Sequence, residues 1–269
     1  MAESQAVSAK KEEPMVSLAF HPLAVGNPGD KEPTLEETLA VLSILKNAGI
    51  CCFFVDEFAL IYYGAGRVLN ENILCVPDER HQEAVQLFMS SSDLLEPCGP
   101  QPLKRPDSLN HKYPRFKAIG RTDFWLLVPA SYYNIDCRPE NVEWSKGGLP
   151  FPKLEVYAQS LIDIKNGVDL QDLIDAQDLS VEWGEENLNL EGSTCVEWAK
   201  RRIDALKEDG VPAHFIFIDP TPVSRRKIWQ EYVENKQKRM GWKYPPEIYA
   251  TRWRRHGSKD PRTKDRPGF

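Results

Sequence analysis

Residues 50–77, ICCFFVDEFALIYYGAGRVLNENILCVP, constrain this chain more than any other stretch. Residues 51–55 form a continuous apolar run of strand length. Asp56 stands where a helix cap belongs, and Phe58, Ala59, Leu60, Ile61 and Tyr62 supply an apolar helix. Gly64 and Gly66 stop that helix, and residues 73–76 restart as a buried strand ended by Pro77. A strand–helix–strand unit of this kind brings helix N-terminal amides and strand-end carboxylates together, the ingredients of a phosphate-and-metal site.

The flanking pattern is helical on both sides. Thr34 with Glu37 three residues later is a capping-box signature, followed by Leu35, Leu39, Leu42 and Leu45 on one helix face. Beyond Pro77, Asp78 is the expected cap of a helix carrying Ala84, Val85, Leu87 and Phe88. Residues 96–115 hold five prolines and read as a long loop. FWLLV, residues 124–128, is a strong strand. GGLPFP then breaks the chain before a helix with Leu154, Tyr157, Leu161 and Ile164, and a second with Leu170, Leu173 and Ile174. Trp183 and Leu188 fall in a loop, and residues 194–206 form another helix. In the C-terminal part, residues 224–240 read as a helix with Ile228, Tyr232 and Val233 inward, and the remainder is too rich in Gly and Pro for regular structure. These readings give an α+β protein: a mixed sheet flanked by helices, then a helical segment and a basic C-terminal tail. The expected divisions are a disordered stretch at 1–33, a core at 34–150, helices at 151–210 and a Trp- and Arg-rich extension at 211–269.

Composition narrows the class. With 41% hydrophobic residues and a mean hydropathy of -0.48, the chain has the balance of a soluble globular protein. It has no apolar run near the roughly 20 residues a membrane span needs. The N-terminal residues are polar, without the apolar core of a secretory signal, so the expected address is cytoplasmic, with the nucleus as alternative. Six cysteines show no CxxC pair, which favours reduced thiols over a zinc site. The net charge of -6 conceals an asymmetry. Residues 163–191 carry nine acids against Lys165 alone, whereas residues 225–269 carry fourteen Lys and Arg against five acids. The preferred reading is mutual neutralisation within one fold. The alternative is a nucleic-acid surface, since the cations are interleaved with Trp229, Tyr232, Trp242, Tyr244 and Trp253.

The string VDEFALIYYGAGRVLNENILCVPDE resembles the core of nucleotidyltransferase-fold proteins, especially uncharacterised fungal members and the bacterial abortive-infection type. The matching residues are Val55, Ala59, Leu60, Gly64, Arg67, Leu74 and Val76. PKLEVYAQSLIDIKNGVDLQDLIDAQDL is similar to the family's helical part, which places its lysine at Lys165. The departures carry more information. Where the family has Gly-Gly or Gly-Ser, this chain has Asp56 and Glu57, which would repel a triphosphate; two unit charges 4 Å apart are worth about 4 kcal/mol at an effective dielectric near 20. The family's paired metal acids fall at Glu71 and Ile73, and Ile73 offers no oxygen. A third acid on a neighbouring strand has no candidate within FWLLV, where Asp123 and Asp136 only flank.

The resemblance and its departures together imply a non-catalytic binding or regulatory protein, a pseudoenzyme on a transferase scaffold. Two alternatives stay open. One is a nucleotidyl- or phosphoryl-transferase with a rearranged acidic site at Asp56, Glu57 and Glu71, with Asp136 as a further metal ligand and Mg²⁺ as cofactor. The other is a nucleic-acid module acting through the basic tail. Arg67 and Lys165 are the candidate contacts for a nucleotide or other anionic ligand, with Arg67 pairing Glu71 as the simpler role. Histidines lack a neighbouring serine or cysteine nucleophile at recognisable spacing, so nucleophilic catalysis is disfavoured.

Overall fold

In a computed structural model of the protein, residues 29–101 and 108–236 are described. The expectations for residues 1–28 and for the tail beyond residue 236 lie outside them. Five strands form one mixed sheet: β1 (Phe53–Phe54), β2 (Asn72–Val76), β3 (Leu95–Cys98), β4 (Arg115–Ala118) and β5 (Phe124–Pro129), in the order β1-β2-β5-β4-β3. The β2–β5 pair is parallel and the other neighbours are antiparallel. The two parallel strands, NILCV and FWLLVP, are apolar nearly throughout, as the covered centre of a sheet requires.

Helices flank the sheet, as the α+β reading expects. Helix α1 (Leu35–Asn47) begins at the predicted capping box: Glu37 N donates to Thr34 Oγ1, and Thr34 N donates to Glu37 Oε2 at 2.9 Å. Helix α2 (Glu57–Tyr62) connects β1 to β2 in the chain. Helix α3 (His81–Ser90) packs on α1, β3 and β5. A hairpin of β6 (Val142–Trp144) and β7 (Pro150–Pro152) closes over β1 and α2, where Phe151 stacks on Tyr62 at 4.1 Å and meets Phe54 and Phe58. Helices α4 (Leu154–Asp163), α5 (Gly167–Gln177), α6 (Val181–Asn187), α7 (Val196–Glu208) and α8 (Arg225–Glu234) complete the described chain. Among the described residues no helix is long and apolar enough to cross a membrane. All six cysteines are free.

Four local expectations are corrected. Residues 96–115 are not one loop, because β3 and β4 bracket the stretch; Pro97 is accommodated because β3 is an edge strand, where a missing N–H costs little. Trp183 lies in helix α6, which Ser180 opens by accepting from Trp183 N. Asp78 does not cap α3; it opens a 3-10 turn, and its Oδ1 accepts from Ser131 N at 2.8 Å. Order also precedes Thr34, since Asp30 pairs with the buried Lys117 at 2.8 Å.

The described part of the C-terminal extension folds back over the acidic helices. Ile228, Trp229 and Val233 of α8 are buried against them. Arg225 pairs with Asp163 at 2.6 Å, Arg226 with Glu185 and Glu191, and Lys236 with Asp178 at 2.6 Å. Gly184 is what admits Trp229: a Cβ there would lie 1.9 Å from the indole nitrogen.

Candidate functional site

A cleft of about 1380 Å³ opens between the sheet, the start of α5 and the C-terminal extension. It is lined by Arg67, Asn70 and Glu71, by Asp56 and Glu57 at the start of α2, by Phe124 and Leu126 of β5, and by residues 164–170. Phe217, Ile228 and Tyr232 of the C-terminal extension line it as well. Of the residues singled out in sequence, Asp56, Glu57, Arg67, Glu71 and Lys165 all line this cleft. Asp136 does not line it; its carboxylate is held by Arg138 at 2.6 Å.

Asp56 occupies the first position before α2, yet its side chain makes no capping hydrogen bond. Its backbone sits at φ +58° and ψ -134°, a region that glycine populates freely and that costs another residue of order 1–3 kcal/mol. Aspartate thus holds here a backbone conformation that glycine adopts more freely. Two buried tyrosines hold it: Tyr133 Oη donates to Asp56 Oδ2 at 2.8 Å, and Tyr157 Oη donates to the Asp56 carbonyl at 3.2 Å. Burial pushes both phenols well above their usual range, so they remain donors. Glu57, the next residue, receives both the backbone and side-chain N–H groups of Asn70.

Glu71 lies just before β2 and shares a face with Ile73, two residues on. Ile73 is registered with Leu126 of β5, and Leu126 with Arg115 of β4, so these side chains cross one face of the sheet. Arg115 reaches Glu71: its Nε donates to Oε1 at 2.5 Å, while Gln101 Nε2 donates to Oε2 at 2.8 Å. The guanidinium also donates to Gly99 O and lies 3.9 Å over the Phe124 ring. Both members of the pair are buried. Burial pushes the Glu71 carboxyl upward, and the adjoining guanidinium opposes that shift.

Arg67 is not Glu71's partner. It bridges the cleft to α5, with Nη2 2.9 Å from Asp169 and Nε 2.6 Å from Asp172. Burial and the charge of Asp56 push Asp169 up to about 6 despite Arg67. Lys165, in the left-handed backbone region after α4, donates to the Thr221 carbonyl at 2.6 Å and to Asp219 at 3.1 Å. Each of these three cleft cations thus has a carboxylate against it. Arg115, Tyr133, Asp169 and Asp172 were not singled out in sequence. An arginine inside the short run RFKA, between aromatic and apolar strands, was the available signal for Arg115.

The residues present do not fit the divalent metal that the resemblance implies. Magnesium demands several oxygens in near-octahedral array. Glu71 already faces two nitrogen donors, Ile73 and Leu126 supply only hydrocarbon, and a cationic guanidinium fills the space beside the carboxylate. Among the described residues no group of three or more His, Cys, Asp or Glu side chains is arranged to hold a metal ion.

No family model matches the chain, and no curated protein does. Among solved structures, the antibiotic-resistance factor ANT(2'')-Ia in solution aligns with a TM-score of 0.36 and 9% identity, over 65% of this chain and 96% of that one. ANT(2'')-Ia in complex with adenylyl-2''-tobramycin gives 0.33 and 11%, over 66% and 99%. Likeness at this level assigns neither a family nor an activity.

Proposed function

We propose that the protein is a non-catalytic binding protein on a nucleotidyltransferase-like scaffold, with the cleft beneath Asp56 as its binding site. The observation that carries this reading is the buried Glu71–Arg115 pair at 2.5 Å, beside Ile73 and Leu126. In a metal-dependent transferase, converging acids at such a place hold the cation that stabilises the transferred group. Here the positive charge is covalently part of the chain and already neutralised. The narrower kinship with fungal and abortive-infection members belongs to the same proposal and rests on the spacing of Ala59, Leu60, Gly64 and Arg67.

The cleft also disfavours a triphosphate. Arg67 faces two aspartates, Arg115 one glutamate and Lys165 one aspartate, so a polyanion would have to displace carboxylates to reach them. The direct test is pyrophosphate release from each nucleoside triphosphate with Mg²⁺ or Mn²⁺. The expected result is release at the uncatalysed rate, unchanged in Glu71→Gln. Efficient release abolished by Glu71→Gln would establish the rearranged acidic transferase instead.

A further inference from the structure

The connection between α7 and α8 is a strap with fixed ends. At one end Gly210, in the left-handed region at φ +77°, closes α7, and Val211 N donates to Leu206 O at 3.0 Å. At the other, Thr194 N donates to the Val223 carbonyl at 3.0 Å, and Ser193 bridges Ser224. Between them Pro212, Pro220 and Pro222 fix their own φ angles and offer no N–H. The backbone bonds from Phe215 N to Pro212 O and from Ile216 N to Ala213 O stay within the strap. Phe217, Ile218 and Asp219 line the cleft. Ile216 and Ile218 are partly buried against the core, whereas Phe217 is 78% exposed. Among the described residues, the hydrogen bonds that tie residues 212–222 to another element come from one side chain. Lys165 Nζ donates to the Thr221 carbonyl at 2.6 Å and to Asp219 at 3.1 Å.

Lys165 stands where a local preference is broken. It follows Ile164, the C-cap of α4, at φ +54°. Its N–H donates to Ile162 O at 3.0 Å, and Asn166 N donates to Leu161 O at 2.9 Å. That pair of bonds ends a helix on a left-handed residue, a position glycine fills without the steric cost of a Cβ. A lysine persists there only if its surroundings offset the strain, and the contacts with Asp219 and Thr221 are what this side chain makes. The same ion pair is open to exchange. The aspartates that face Arg67 each keep 14% of their side-chain surface exposed, and Glu71 beside Arg115 keeps 3%, but Asp219 keeps 62%. An oxyanion can replace Asp219 at Lys165 without stranding a buried carboxylate, because the displaced group returns to water.

We propose that residues 212–222 form a ligand-operated strap on the cleft, latched by Lys165, which a ligand's oxyanion group releases by taking Lys165 from Asp219. The proposal rests on reading the cleft as the binding site, and it adds that occupancy there is coupled to the mobility of one segment. With Asp219 displaced, the Thr221 carbonyl and the partly buried Ile216 and Ile218 are what still hold the strap. The fixed ends at residues 211 and 223 confine the opening to the stretch between them.

The test is limited chymotrypsin digestion of the full-length chain and of full-length Lys165→Met and Lys165→Gly, scored by mass spectrometry at the bonds after Phe215 and Phe217. Where opening is fast, cleavage tracks the population of the locally opened strap, and both variants should be cut about tenfold faster than wild type. Urea unfolding should show Lys165→Gly as stable as wild type or more so, because glycine relieves the left-handed backbone. Inorganic phosphate should quicken cleavage of the wild type several-fold over sodium chloride at equal ionic strength, and should leave Lys165→Met unchanged. Equal cleavage of wild type and Lys165→Met overturns the latch. Faster cleavage that merely follows a loss of global stability overturns it too, since the whole fold is then opening. Phosphate that acts no better than chloride, or that acts equally on Lys165→Met, overturns the coupling to ligand. None of these results depends on pyrophosphate release or on Glu71, so failure here leaves the reading of the cleft standing.

Discussion

At the scale of the residue, Asp56 ties the site together. A strained backbone persists only where its surroundings over-determine it, and Tyr133 and Tyr157 supply that constraint. Tyr133→Phe should therefore destabilise the protein by about 1–2 kcal/mol, and should cost much less in an Asp56→Gly background. A double-mutant cycle by chemical denaturation reads the coupling; purely additive effects would contradict it. Asp169 gives a pH signature of the opposite sign to an ordinary paired carboxylate. Its pKa rises from 3.8 to about 6 on folding, so the native state holds the proton more tightly and stability falls as pH rises through that interval. Relative to Asp169→Asn, the wild type should lose stability between pH 4 and pH 7 in urea titrations. These side chains were only partly legible in sequence. Glu71, Asp56, Glu57, Arg67 and Lys165 stand out as charges beside apolar strands, but their partners lie 13 to 105 residues away and have no local signature.

At the scale of the element, the chain is legible where local chemistry agrees with tertiary packing. The capping box at Thr34 predicts the start of α1, and Thr34→Ala should cost about 1 kcal/mol of stability in denaturant unfolding. The parallel pair β2–β5 is legible because its strands are continuously apolar. Strands β3 and β4 are not: LEPC contains a proline that only an edge position tolerates, and RFKA carries an arginine and a lysine whose burial depends on Glu71 and Asp30. Helix α6 escaped notice because Gly184 interrupts its propensity, although the same glycine provides the space for Trp229. Gly184→Ala should destabilise by about 2–4 kcal/mol, because Trp229 is fully buried and cannot retreat without opening the α6–α8 contact. A loss below 0.5 kcal/mol would show that the contact relaxes.

At the scale of the molecule, residues of the sheet and residues of the C-terminal extension line one cleft. The acidic helices and basic extension, legible as opposite charge blocks, meet through Asp163, Asp178, Glu185 and Glu191. That the extension also lines the cleft was not legible, because Phe217, Ile228 and Tyr232 read simply as apolar spacing until the packing of α8 on α5 brings them there. Central to the proposed non-catalytic cleft is Arg115, which occupies the space beside the Glu71 carboxylate. Isothermal titration of Mn²⁺ into protein with ATP present measures this most directly. The account predicts only the heat of Mn²⁺ binding to ATP, identical in wild type and Glu71→Gln; a saturable protein site that disappears in Glu71→Gln would contradict it.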